Sequence, residues 1–110
     1  MSSTDLRYEV VKKIAKLAED MALQLEEIVE GEGIEDPEEI EARIDDIIDE
    51  NWRRLTRIVT EALGSGAHNV KKTVERAVLI IKEFLLGDID ESILKKKLGD
   101  MLEGESSTKD

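Results

Sequence analysis

Apolar residues recur along this chain at alternating steps of three and four, the spacing that lines one face of a helix. The first stripe is Val10/Val11, Ile14, Leu17/Ala18, Met21, Leu25 and Ile28, and it predicts a helix over residues 4–30. A second stripe, Ile40, Ile44, Ile47/Ile48, Trp52, Leu55, Val59 and Ala62/Leu63, predicts another long helix over residues 36–63. It opens on Asp36-Pro37-Glu38-Glu39: Asp36 can cap a free backbone N–H, Pro37 suits the first turn, and Glu39 can complete a capping box. Each of these helices spans roughly 40 Å at 1.5 Å per residue.

Gly64-Ser65-Gly66 then breaks the pattern. A third helix is predicted from residues 67–69 onward, carrying Val70, Val74, Ala77/Val78, Ile81, Phe84 and Leu85. Asp88 and Glu91 have capping-box spacing ahead of a fourth, which carries Ile89, Ile93/Leu94, Leu98 and Met101/Leu102. Gly99 lies inside that fourth helix and weakens it by about 1 kcal/mol relative to alanine. Gly31, Gly64, Gly87 and Gly104 each follow an apolar segment, where a left-handed residue ends a helix at no Cβ cost.

No stretch alternates with period two over strand length, and the connections are short. The expected fold is all-α, an antiparallel up-down-up-down bundle of four helices of unequal length. Residues 1–104 form the single domain, and residues 105–110, which include no apolar side chain, form a disordered C-terminal tail. Ile14, Met21, Ile44, Ile48, Leu55, Val74, Ile81 and Leu94 should be buried. Trp52 is expected at the core or its edge, and Asn51 beside it is either a buried polar residue that fixes register or, the reading preferred here, a solvent-facing one. Leu23, Ile80 and Leu86 fall off the stripes and are available to a homodimer or a protein partner.

Composition narrows the functional classes. A chain of 110 residues with a net charge of −11 disfavours nucleic acid and anionic membranes as partners, since both would be repelled. Cysteine is absent, which removes disulfides, thiolate metal sites and thiol nucleophiles. The N-terminal MSSTDLRYEV lacks an apolar run after a basic segment, and the longest apolar stretch stops at Lys82, so a soluble cytoplasmic protein is expected.

Candidate chemistry is sparse. His68 is the one histidine, in Gly66-Ala67-His68-Asn69; a histidine base needs an orienting carboxylate and a nucleophile, and nearby Ser65 fits a helix cap better. One histidine also excludes a di-iron site, which takes two Glu-x-x-His pairs. The basic clusters, Lys12-Lys13, Arg53-Arg54 with Arg57, Lys71-Lys72 and Lys95-Lys96-Lys97, lie among acids, as intrahelical ion pairs require.

The densest feature is acidic: Glu26, Glu27 and Glu30 close the first helix, and Asp45, Asp46, Asp49 and Glu50 lie on the second. Within it, Glu27-x-x-Glu30 and Asp46-x-x-Asp49 distantly resemble the paired carboxylate motifs of the MazG-type nucleotide pyrophosphohydrolases, although the second pair carries aspartate first. That resemblance implies an all-helical hydrolase holding magnesium against a nucleotide's phosphates. If Glu30 faces about residue 38 across the hairpin, Asp46 falls a turn or more from Glu27, and the same residues then read as a solvated face.

The DPEE start at residues 36–39, the glycines after helices, the second capping box and the missing cysteines together resemble a de novo designed helical bundle. That resemblance implies a non-enzymatic scaffold with no catalytic residue, cofactor or metal. An acidic protein-binding module, an inhibitor or adaptor presenting carboxylates to a basic partner, is the second expectation. The magnesium-dependent hydrolase is the third.

Overall fold

The structure, a computed structural model, describes residues 3–64 and 69–107. Over these the chain is all-helical, in five helices: α1 (Ser3–Glu32), α2 (Pro37–Glu50), α3 (Trp52–Leu63), α4 (Val70–Leu85) and α5 (Glu91–Ser107). The expected count of four is corrected, because the second long helix is interrupted at Asn51. There φ is −103° and ψ is 6°, well away from helical ψ. The Asn51 N–H is shared between the Ile47 and Ile48 carbonyls, at 3.1 Å each, and its side-chain amide donates to the Ile47 carbonyl at 2.8 Å. A residue whose side chain bonds the preceding turn offers the backbone an alternative to the regular ladder.

The ends of the helices show which local signals prevailed. At the end of α1 the left-handed residue is Gly33, with φ of 66°, rather than Gly31. The Ile34 N–H donates back to the Val29 carbonyl at 3.0 Å while the Ile34 side chain is buried, the paired hydrogen bond and apolar contact of a Schellman ending. Gly87 closes α4 in the same way: its N–H reaches the Phe84 carbonyl and that of Asp88 the Glu83 carbonyl. Asp88 is thereby committed to α4, and the cap of α5 is Asp90, whose carboxylate accepts from the Ile93 N–H at 2.9 Å. At α2, Asp36 caps as expected, accepting from the Glu38 N–H at 3.2 Å, with Pro37 in the first turn. Gly104 does not stop α5, which continues to Ser107. The remainder of the expected tail, residues 108–110, lies outside the described residues.

All eight expected core residues are buried, including Ile14, Ile44, Ile81 and Leu94 with no exposed surface. Each such side chain contributes about 1.5–3 kcal/mol relative to leaving it in water. α1 is the spine, packing against all four other helices, while α5 packs on α1 and α4 and, among the described residues, not on α2 or α3. α4 and α5 have 16 and 17 residues against 30 in α1, so neither can cover the full length of α1. Among the described residues, no helix is long and apolar enough to cross a membrane.

Candidate functional site

The carboxylates flagged by the hydrolase resemblance do not converge. Glu27, Glu30, Asp46 and Asp49 are all exposed, and among the described residues no three of His, Asp or Glu gather where they could hold a metal ion. His68 and Ser65 lie outside the described residues.

Of the two readings of Asn51 the structure shows the buried one: it is 4% exposed, and its carbonyl oxygen Oδ1 accepts from Arg54 at 3.3 Å, whereas Trp52 keeps 36% of its surface in solvent. The signal was in the spacing: Ile47, Asn51 and Leu55 succeed one another at steps of four, so Asn51 sits on the buried stripe.

Many charged side chains tie the helices to one another. Arg43 on α2 clasps the Glu32 carboxylate of α1 with both terminal nitrogens, at 2.5 and 3.2 Å. Lys82 on α4 reaches Glu41 and Asp45 on α2 at 3.0 and 3.2 Å, and these hydrogen bonds hold its ammonium above the usual lysine range. Lys97 on α5 meets Glu83 on α4 at 3.0 Å, and Arg54 on α3 meets Asp20 on α1 at 3.9 Å. Lys95–Glu91 and Lys96–Asp100 are pairs within α5, as expected for those clusters.

Where α5 begins, Glu91 meets Glu19 of α1. Their shared hydrogen bond, with desolvation and the Glu91 charge, raises the Glu19 carboxyl above the usual glutamate range against the pull of Lys95 and Lys16. The same hydrogen bond, helped by Lys95, lowers Glu91.

Beyond that contact the surface opens into a groove of about 600 Å³. Its floor is apolar: Ala22, Leu25 and Val29 from α1, Ile40 from α2, and Phe84 and Leu85 from α4. On the near wall stand Glu19, Leu23 and Glu26, one face of α1 at steps of four and three, and Leu23 is 58% exposed. The off-stripe position of Leu23 foretold its exposure. Ala22 and Val29 were missed, although with Leu25 they widen the apolar face of α1 in its second half.

A smaller groove of about 350 Å³ lies between α1 and α5, where Arg7, Lys12, Lys95 and Lys96 surround Gly99, and Lys12 sits 5.4 Å from the Tyr8 ring centre. The Gly99 backbone is ordinary, and a Cβ there would meet nothing within 4 Å. Compared with known protein families, with curated proteins and with solved structures, the chain matches none of them.

Proposed function

We propose that this protein is a non-enzymatic helical scaffold, soluble and cytoplasmic, of the kind a de novo designed bundle represents. In this reading its course is up-down-up-down, with α2 and α3 together forming one bent second arm. The observation that supports it is the use of charge: Arg43, Lys82, Lys97 and Arg54 each join two helices, so charged side chains serve the assembly of the bundle rather than a common reacting centre. Functional carboxylates would instead gather around one ligand. A magnesium titration followed by amide shifts tests it. The scaffold should give only weak, unsaturating shifts along its acidic faces, whereas saturable shifts confined to Glu27, Glu30, Asp46 and Asp49 would establish the hydrolase instead.

A second reading, an acidic protein-binding module, is favoured by the exposed Leu23 and the apolar floor beside it, since an apolar patch with a polar rim marks a contact surface. Glu30 and Glu35, exposed at the same end, would then steer a basic partner. Replacing both with glutamine should slow association of that partner and flatten its salt dependence. Glu32 must be left intact, because it holds Arg43.

A further inference from the structure

The bundle is uneven along its length. α5 starts at Glu91, level with Glu19 of α1, and does not reach α2. α4 ends at Leu85, while Lys82, near that end, is level with Glu41 and Asp45 of α2. The hairpin of α1 and α2 therefore continues past both shorter helices. The groove lies there, lined by α1 from Glu19 to Val29, by Ile40 of α2 and by Phe84 and Leu85 in the last turn of α4, with no residue of α5 in its described lining.

Resting on the reading of the protein as an acidic binding module, we propose that this groove receives an amphipathic helix of basic character from a partner protein, which completes the bundle at its open end. The apolar floor runs from Ala22 to Val29 along α1, about two turns, and offers contacts at steps of three and four. That spacing matches a helix presenting apolar residues at i, i+3 and i+7. The rim fixes the sign of the partner: two acidic side chains, Glu19 and Glu26, line the groove, and among the described residues no basic side chain does. A second copy of this chain is the poorer occupant, since it brings the same −11 charge to a surface already lined by acids.

The probe is a synthetic peptide, blocked at both ends, with leucines on one helical face flanked by lysines, added to the isotopically labelled full chain. Saturable amide shifts centred on Leu23, Leu25, Val29 and Phe84 are expected, with affinity falling at least about tenfold in Leu23→Lys. Leu79→Lys, on an exposed part of α4 away from the groove, should leave binding unchanged. Because Leu23 and Leu79 are both largely exposed, neither variant endangers the fold. The same peptide with glutamate for lysine should bind far more weakly; equal binding would refute the charge argument. Saturable shifts around Glu30, Glu35 and Glu38 that ignore Leu23→Lys would overturn the groove while keeping the acidic module. Complete absence of saturable binding would overturn both. A concentration-dependent dimer abolished by Leu23→Lys would assign the groove to a second copy instead.

Discussion

At the end of the molecule built from the first half of α1 with α3, α4 and α5, side chains such as Ile14, Val59, Ala77 and Leu98 are wholly sealed from water. At the other, where α1 meets α2 and the last turn of α4, Leu25, Ile28, Ile40 and Phe84 pack against the core with part of their surface still in solvent. The apolar content of the helices does not account for this, since α1 carries apolar side chains through both halves. What differs is the covering: among the described residues α5 packs on α1 and α4 and makes no contact with α2. A core closes where enough helices are present to close it, and the period of any one helix is silent on how far its neighbours extend.

The largest effect should separate the two ends directly. Ile81→Ala removes a side chain with no exposed surface and should cost about 2–5 kcal/mol, through lost transfer energy and a cavity. Leu25→Ala at the open end removes a side chain already partly solvated and should cost well under half as much. Denaturant unfolding of both variants checks this, and equal losses would mean that the groove is as closed as the core.

Next comes Asn51, at the joint between α2 and α3. Asn51→Asp replaces a buried donor with an acceptor facing the Ile47 carbonyl, and should cost about 1–3 kcal/mol at neutral pH. The loss should shrink in acid, where the new carboxyl can donate. A substitution with no effect at either pH would place the amide in solvent and restore a continuous second helix.

These two cases also mark how far the sequence could be read. Stripe positions such as Ile14 and Ile81 were legible because a three-four period leaves little choice of buried face. Asn51 was legible by register and obscured by chemistry, since an amide on a buried stripe is acceptable only once its partners, Ile47 and Arg54, are known. The endings at Gly33 and Asp90 depended on whether Ile34 finds a buried place and on Asp88 being engaged by α4. The groove was least legible, because it arises from relative helix lengths rather than from any single stripe.

Within the sealed end, Thr73 is fully buried and its hydroxyl has no hydrogen-bond partner among the described residues. Thr73→Val keeps the shape and removes the stranded group, so it should stabilise by about 1 kcal/mol. Gly99→Ala should add about as much through helix propensity, because its Cβ meets open space. Thermal melts of both variants sharpen the comparison: a loss on Thr73→Val would show that the sealed end hides a polar contact.

The smallest effect lies at the boundary between the ends, where Glu19 and Glu91 meet. In the folded protein the hydrogen bond to Glu91 keeps the Glu19 proton on to a higher pH than in the unfolded chain. As pH rises through that window the unfolded chain has already released its proton, so each step upward favours unfolding and stability falls. Glu91 acts in the opposite sense: its carboxyl is lowered by the hydrogen bond from Glu19, so its contribution is present above its unfolded pKa and lost as pH falls through the lowered folded one. Glu19→Gln substitutes a side chain that can donate to Glu91 at every pH and cannot ionise. Relative to the parent, the variant should therefore gain stability above the raised Glu19 range and lose that advantage below it, where the parent's Glu19 is protonated. Both residues touch solvent, so the gain is small and should shrink with added salt. Melting temperatures of the two proteins compared from about pH 3 to about pH 7, a range that brackets carboxyl titration, provide the measurement. Curves that run parallel throughout would separate Glu19 from Glu91, and would remove the contact that places the start of α5 midway along α1.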